Sequence, residues 1–163
     1  MAIRDHVRRL FRQDTVLAAG DLAPELGLED QSGKVWNLAD LRDRPAVIYF
    51  YPKDDTPGCT KEACSFRDNY GKVQSLATLL GVSMDSTQSH RAFAEKHGLP
   101  FPLLSDPTRE VTHAWGVEGG IGPLKMPRRV TFVLDRRGRV ARVFDPVKVA
   151  GHTEEVLRVL ESL

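Results

Sequence analysis

The chain has 163 residues, of which 41% are apolar and 28% are charged, and its formal net charge is +1. This size and composition predict one soluble globular domain with a core of its own. The charge gives no reason to expect a nucleic-acid partner, and no apolar run approaches the roughly 18–20 residues that span a bilayer. Two cysteines are too few for a disulfide framework, and no signal-like segment is present, so we expect a cytoplasmic location.

The first 19 residues are predicted to form an amphipathic arm, which precedes a domain spanning residues 20–163. Apolar residues recur in the arm at helical spacing, on the side opposite a set of arginines: Ile3, Val7, Leu10 and Phe11. We favour an arm that packs on the domain. A helix at a subunit interface and an organellar transit peptide are the alternatives.

The domain is predicted to begin with a small hairpin, whose turn at Ser32-Gly33 precedes Val35-Trp36. The next element is an unbroken apolar run at residues 46–51, typical of a strand that is buried on both faces. A polar loop follows, and from Pro57 the composition favours a helix. The order in this part of the chain is therefore strand, polar loop and helix.

Strands and helices alternate further along the chain. Residues 76–84 predict a second apolar strand, and Ser86 and Gly98 are the predicted ends of the next helix. Residues 116–127 are rich in glycine and predict a long flexible loop. A second hairpin is predicted at residues 130–144, and a last helix begins after Thr153. This order predicts an α/β domain of thioredoxin-like fold, with a mixed central sheet flanked by helices and an N-terminal hairpin extension.

Cys59 falls in the first turn of the helix predicted to begin at about Pro57. Free amide N–H groups and the helix dipole stabilise an anion at that position, and the thiolate is the reactive form of cysteine. Four interpretations compete: an inert core cysteine, a zinc ligand, a disulfide exchanger, and a peroxide-reducing cysteine with a resolving partner. The polar neighbours in sequence argue against the first, the lack of four ligands against zinc, and the C-x4-C spacing against a C-x-x-C exchanger.

The spacing of Cys59 and Cys64 makes the fourth interpretation specific. Residues five apart in one helix have Cα atoms roughly 8–9 Å apart, whereas a disulfide requires them within about 7 Å. The two cysteines therefore cannot bond while the helix is intact. Such a pair rests as two thiols and forms a bond only after oxidation and local unwinding.

The segment at residues 51–68 reads YPKDDTPGCTKEACSFRD. It closely resembles the active-site segment of peroxiredoxins of the bacterioferritin comigratory protein (Q-type) subgroup, including the specific pattern P-x-x-x-T-x-x-C. Further matches follow at residues 81–86, 99–106 and 129–135. The resemblance extends over approximately residues 20–163.

This resemblance implies a role for five residues. Cys59 would be the peroxidatic nucleophile and Cys64 the resolving cysteine of an atypical two-cysteine enzyme. The Thr56 hydroxyl would hydrogen-bond the thiolate and the incoming peroxide, Pro52 would shield the pocket, and Arg129 would stabilise the thiolate and the transition state. Donors aimed along the S–O–O line stabilise negative charge where it develops.

The resemblance implies a thioredoxin-dependent peroxidase that reduces hydrogen peroxide and organic hydroperoxides. We expect no metal and no organic cofactor, thioredoxin or a similar dithiol as the reductant, and a monomer without nucleic-acid or membrane partners. A general thiol–disulfide oxidoreductase is one alternative. A redox-sensing or holdase protein, which would use the disulfide as a switch, is the other.

Two pairs of polar residues near the motif are predicted to have no chemical role. Asp54 and Asp55 are expected to be solvated charges on a loop. His90 and His97 are expected to form a surface pair on the helix after the second apolar strand.

Overall fold

The structure, a computed structural model, describes residues 16–163, so the predicted arm falls mostly outside the described residues. The strands are β1 (Leu28–Asp30), β2 (Val35–Trp36), β3 (Ala46–Phe50), β4 (Thr78–Ser83), β5 (Leu103–Ser105), β6 (Glu118–Ile121), β7 (Leu124–Pro127), β8 (Val130–Leu134) and β9 (Val140–Phe144). The helices are α1 (Pro57–Asp68), α2 (Tyr70–Leu76), α3 (Thr87–His97), α4 (Glu110–Ala114) and α5 (His152–Glu161), with one 3-10 turn at Leu38–Leu41.

Seven strands form one mixed sheet in the order β2-β1-β5-β4-β3-β8-β9. Strands β3, β4 and β5 run parallel, while β8 and β1 pair antiparallel with the edges of that parallel set. Every residue of β3 is buried, because helices cover both faces of the sheet at its centre. The predicted thioredoxin-like sheet and the N-terminal hairpin, β1–β2, are confirmed.

Two apolar clusters lie on opposite faces of the sheet. One cluster contains alternate residues of β3 with side chains from four helices, among them Phe66 of α1, Val73 of α2, Phe93 of α3 and Val156 of α5. The other packs the remaining β3 side chains against α4 and the 3-10 turn. The alternation follows from the period of two along a strand. Helix α1, which carries both cysteines, therefore packs directly on the first face.

The prediction of a flexible loop at residues 116–127 is wrong. These residues form the two-stranded hairpin β6–β7. Gly120 and Gly122 adopt φ values of 101° and 58°, a region that favours glycine, and a Cβ at Gly120 would lie 1.9 Å from the Leu124 carbonyl oxygen. The glycines thus allow a tight turn instead of a loose segment. In the described part of the chain, no helix has the length and apolar character needed to cross a membrane.

The helical region after Cys59 consists of two helices, since α1 ends at Asp68 and α2 begins at Tyr70. Asn69 separates them with φ −112° and ψ 12°, and its side-chain amide donates to the Ser65 carbonyl, 2.9 Å away. The segment that carries both cysteines is therefore a helix of its own, with a defined end.

Candidate active site

Cys59 is the third residue of α1, and the predicted helix start at Pro57 is confirmed. Thr56 precedes the helix in an extended conformation, and proline at the first helical position needs no hydrogen-bond acceptor for its nitrogen. The sequence neighbours of Cys59 are polar, yet its side chain is 1% exposed and belongs to the apolar cluster that also contains Tyr49 and Tyr51. The thiol is therefore buried among aromatic side chains supplied by β3 and the residue after it.

Arg129 reaches Cys59 because of the register between β3 and β8. Phe50 pairs with Val130 in this antiparallel ladder, so Arg129 lies beside the chain just as it leaves β3 for the loop. Its Nη2 donates to the Cys59 Sγ over 3.3 Å. A Cβ at Gly58 would lie 2.9 Å from the same Nη2, so the glycine leaves space for the guanidinium.

Glu62 is a site residue that the sequence analysis missed. Its Oε1 accepts from Nη1 of Arg129 over 2.9 Å, and its side chain is 1% exposed. Among the described residues, no partner is present for Oε2. Burial raises the pKa of Glu62 to about 7, although the positive charge of Arg129 opposes this shift. Its position three residues after Cys59, on the same helix face, is the sequence signal that could have identified it.

One guanidinium thus contacts both a thiol and a carboxyl group. Burial by itself would lower the pKa of Arg129, but the carboxylate of Glu62 and the sulfur of Cys59 outweigh it and raise the pKa. Two negative charges beside one half-buried positive charge are costly, so the arrangement favours one anion at a time. A protonated Glu62 leaves the full charge of Arg129 available to a Cys59 thiolate.

Thr56 and Pro52 lie in the loop before α1, and both are half-buried. The Thr56 hydroxyl donates to the Lys53 carbonyl over 2.8 Å, so in this structure its hydrogen goes to the loop and not to the sulfur. The Thr56 carbonyl accepts from the amide of Thr60 over 2.8 Å, which closes the first turn of α1. The predicted bond from this hydroxyl to the thiolate is therefore absent from the resting arrangement.

Cys64 is half-buried on α1, and both cysteines are free thiols. The neighbouring Ser65 and Thr153 hydroxyls lie 2.7 Å apart, and Nη1 of Arg67 donates to the His97 carbonyl over 2.7 Å. These two contacts join the middle and the end of α1 to α5 and α3. A displacement of α1 around Cys64 would strain both contacts.

The predictions for Asp54 and His90 are wrong, since both side chains are buried and contact each other. Asp54 is 7% exposed and His90 is 0% exposed, and Oδ2 of Asp54 lies 2.7 Å from Nδ1 of His90. Asp55 and His97 do behave as expected: Asp55 pairs near the surface with Lys96 and His97. The burial of Asp54 was missed because its partners come from other parts of the chain.

One group of potential metal ligands occurs among the described residues, formed by Asp54, Asp85 and His90, whose ligand atoms lie within 4.8 Å of one another. Both oxygens of Asp54, both ring nitrogens of His90 and Oδ2 of Asp85 already make hydrogen bonds within the protein. We describe the group as a hydrogen-bonded cluster. Neither cysteine belongs to it.

His152 is a second buried ionisable group on this face of the sheet. Its Nε2 lies 2.8 Å from the Thr131 hydroxyl, and its ring packs edge-on against Phe66 and Phe144. Burial, and then the positive charge of Arg129, lower the pKa of His152 to about 4. His152 is therefore neutral near pH 7.

Comparisons with known proteins agree with this geometry. The AhpC/TSA family model matches residues 19–143. The chloroplastic peroxiredoxin Q of Sedum lineare is 46% identical over 162 residues, which cover 94% of this chain and 84% of the relative. The crystal structure of the peroxidoxin BcpB from Mycobacterium tuberculosis superposes with a TM-score of 0.84 at 35% identity, covering 90% of this chain and 98% of that one.

A third comparison is with the bacterioferritin comigratory protein of Xanthomonas campestris, in structures that address its alkyl peroxide reduction activity. The TM-score is 0.79 at 35% identity, over 91% of this chain and 98% of that one. Since the family model covers most of the chain, and 84% of the Sedum lineare relative and 98% of the Xanthomonas campestris protein are aligned, the chain belongs to the AhpC/TSA family and is a thiol-dependent peroxidase of the Q-type peroxiredoxins.

Proposed function

We propose that Cys59 reduces hydrogen peroxide and organic hydroperoxides, that Cys64 resolves the oxidised sulfur, and that a thioredoxin-type dithiol restores both thiols. The observation that carries the proposal is the position of the Cys59 Sγ at the start of α1, 3.3 Å from Nη2 of Arg129. A helix N-terminus and a guanidinium both favour the thiolate, and the thiolate is the form that attacks peroxide.

In the first step, the Cys59 thiolate attacks the terminal oxygen of the hydroperoxide. A sulfur–oxygen bond forms, the oxygen–oxygen bond breaks, and the alkoxide or hydroxide that leaves takes a proton to become an alcohol or water. Cys59 becomes a sulfenic acid. Negative charge moves from sulfur towards the leaving oxygen, and Arg129 is placed to stabilise it during that movement.

Glu62 contributes to the first step through Arg129. Burial raises its pKa to about 7, so near neutral pH part of the Glu62 population is protonated and leaves the guanidinium unshared. Thr56 directly precedes the first residue of α1 and can turn its hydroxyl from the Lys53 carbonyl to an incoming peroxide. Pro52, half-buried in the same loop, would limit access of water.

In the second step, the Cys64 thiolate attacks the sulfur of the Cys59 sulfenic acid. A sulfur–sulfur bond forms, the sulfur–oxygen bond breaks, and the hydroxide that leaves takes a proton to become water. Since α1 is continuous from Pro57 to Asp68, its turns must unwind before the sulfurs can meet. The resulting bond lies in an unwound segment, where the thiolate of an external dithiol can attack it.

The protein from Xanthomonas campestris is described with alkyl peroxide reduction activity, and this supports organic hydroperoxides as substrates here. A monomeric state and a cytoplasmic location stay predictions. A redox sensor is the rival function, because it would form the same disulfide without turnover.

A coupled assay with NADPH, thioredoxin reductase and thioredoxin tests the proposal. We expect NADPH oxidation that depends on both the peroxide and this chain, with many turnovers per protein molecule. Oxidation that stops after a single equivalent of peroxide, with every plausible dithiol reductant supplied, would contradict the enzyme and favour the sensor.

A further inference from the structure

We propose that Asp54 is a positioning residue that holds the loop before Cys59 in its active conformation and that it does so through a buried pair with His90. We call residues 51–56 the anchor loop. The inference rests on the proposed role of Cys59 and adds a residue that does not touch the reacting sulfur.

The carboxylate of Asp54 is held at both oxygens. Oδ1 accepts from the Tyr51 hydroxyl over 2.6 Å, while Oδ2 lies 2.8 Å from the Ser89 hydroxyl and 2.7 Å from Nδ1 of His90. The Asp54 amide donates to Oδ2 of Asp85 over 2.9 Å. The backbone of Asp54 is thus bonded to Asp85, just after β4, and its side chain is bonded to the start of α3.

The hydrogen bonds of His90 show how the pair tolerates burial. Nε2 lies 3.0 Å from the Leu104 carbonyl, which only accepts, so Nε2 carries a hydrogen. The contact between Nδ1 and Asp54 then holds one further proton, on either the ring or the carboxyl group. In both cases the pair has no net charge, and its polar atoms are satisfied, so it can stay buried.

The anchor loop connects this pair to the reacting end of the site. Thr56, two residues after Asp54, forms the first turn of α1 through its carbonyl and bonds the Lys53 carbonyl through its hydroxyl. Displacement of Asp54 would therefore displace Thr56 and the start of the helix together. A misplacement of about 1 Å at a catalytic group can lower a rate about 10²-fold.

Asp55 provides a matched comparison in the same loop. Its carboxylate also contacts α3, through Lys96 at 2.7 Å and His97 at 3.1 Å, but the contact is exposed. Exposed ion pairs contribute little, whereas leaving one partner of a buried pair alone is costly. We therefore assign the positioning role to the buried contact and none to the exposed one.

The test compares Asp54→Ala, Asp54→Asn and Asp55→Ala. Alanine removes every side-chain contact of Asp54. Asparagine retains the contacts with Tyr51 and His90, because its amide oxygen can accept from Tyr51 and its amide nitrogen can donate to Nδ1 of a neutral His90, while the Ser89 hydroxyl, which donates to Asp54, has to become an acceptor. We expect kcat/KM for hydrogen peroxide to fall about 10²-fold in Asp54→Ala, to recover to within about 3-fold of wild type in Asp54→Asn, and to stay unchanged in Asp55→Ala.

The alkylation rate of Cys59 by iodoacetamide, measured with Cys64→Ser in each background, separates positioning from loss of fold. We expect it to fall much less than kcat/KM in Asp54→Ala, since alkylation needs the thiolate but not the arrangement of donors around a peroxide. An equal loss of both rates, or failure of Asp54→Asn to recover, would overturn the positioning role.

Tyr51→Phe keeps the inference testable if Asp54→Ala does not fold, because it removes only the hydroxyl that contacts Asp54. We expect a smaller loss of kcat/KM, about 5-fold, which corresponds to one hydrogen bond. An unchanged rate in this variant would contradict the inference. Wild-type protein is assayed in parallel: if it lacks peroxidase activity the proposed function fails, whereas an active wild type with an equally active Asp54→Ala refutes only the role of Asp54.

Discussion

Cys59 lies between two segments that are held in different ways. The anchor loop before it is fixed by a cluster of buried polar groups, centred on the contact between Asp54 and His90. The helix after it is held mostly by backbone hydrogen bonds and by partly exposed side-chain contacts such as the one between Ser65 and Thr153, and its buried polar contact is the ion pair between Glu62 and Arg129. Opening the first would leave buried polar groups without partners, whereas helical hydrogen bonds can be replaced by water at about 0.5–1.5 kcal/mol each.

This difference suits a cysteine that must be held precisely for its reaction with peroxide and must then move to form a disulfide with Cys64. The anchor loop can keep Pro52 and Thr56 in position while α1 unwinds to bring Cys64 to the oxidised sulfur. Phe66 opposes this unwinding, because it is 0% exposed and its ring centroid lies 4.9 Å from that of Tyr49. We expect the helix to unwind most easily where Phe66 can stay in the core.

The largest expected effect comes from replacing Cys59, which lies between the anchor loop and the rest of α1. Cys59→Ser should abolish peroxide reduction, because a serine hydroxyl is not ionised at neutral pH. Cys64→Ser is the control: it should still react once with peroxide, and mass spectrometry should find sulfenic acid on Cys59. Oxidation found mainly on Cys64 in the wild-type protein would reverse the two assignments.

The second prediction concerns the group that contacts Cys59 from outside both segments. Arg129→Ala should lower the rate of peroxide reduction about 10²–10³-fold, the typical effect of removing one charge-stabilising donor. Arg128→Ala is the matched control, since the neighbouring Arg128 pairs with Asp145 over 2.7 Å away from the sulfur. Stopped-flow measurement of the first turnover checks both. An Arg129→Ala variant with an intact fold and an unchanged rate would refute the role of Arg129.

The third prediction concerns the pH dependence of the free energy of unfolding, to which Glu62 of α1 and His152 of α5 both contribute. The folded-state pKa of Glu62, about 7, exceeds its usual 4.5, so the folded state binds more protons than the unfolded state between those values. Glu62 therefore contributes about 3 kcal/mol to the free energy of unfolding below pH 4.5, and this contribution is lost as the pH rises to 7. His152 acts oppositely, because its pKa falls from 6.5 to about 4: its contribution is present above pH 6.5 and is lost as the pH falls to 4.

The contributions of Glu62 and His152 to stability change with pH in opposite directions over nearly the same range, so they largely cancel in the wild-type protein. We expect the free energy of unfolding of Glu62→Gln to rise with pH between about 4.5 and 6.5, and that of His152→Asn to fall over the same range. Denaturant unfolding at several pH values measures this. Two variants with the same pH profile as the wild type would show that neither group titrates as the structure indicates.

The smallest expected effect is a faster formation of the disulfide when the contact between α1 and Thr153 is removed. Thr153→Val removes the hydroxyl that contacts Ser65 and retains the side-chain shape. Losing one hydrogen bond costs about 0.5–1.5 kcal/mol, so disulfide formation after peroxide addition should be up to about 10-fold faster. Ser75→Ala, at an exposed serine on α2, is the control and should leave this rate unchanged. A slower or unaltered rate in Thr153→Val would exclude this contact as a brake on unwinding.

The elements that depend on local pattern could be predicted from the sequence. The apolar run at residues 46–51 identifies β3, and Thr56 with Pro57 marks the start of α1. Contacts between distant residues could not be predicted in this way. Asp54 and His90 are 36 residues apart, and each has the appearance of a surface charge when only its neighbours are considered.

Glu62 illustrates the same limit for the site. A glutamate on a helix is normally exposed, and its burial depends on the register that places Arg129 beside the end of β3. The hairpin β6–β7 was missed for a different reason, because glycines and prolines signal both loops and tight turns. The motif therefore predicted the reacting residues, and the structure was needed to show the contacts that surround them.

Hydrogen exchange on the reduced and the oxidised protein tests the central claim most directly. If the anchor loop stays fixed while α1 unwinds, the amides of residues 60–68 lose protection on oxidation, whereas the Asp54 amide, bonded to Asp85, keeps its protection in both forms. Equal protection of residues 60–68 in both forms would contradict the account, because Cys64 could not then reach Cys59 in the same helix.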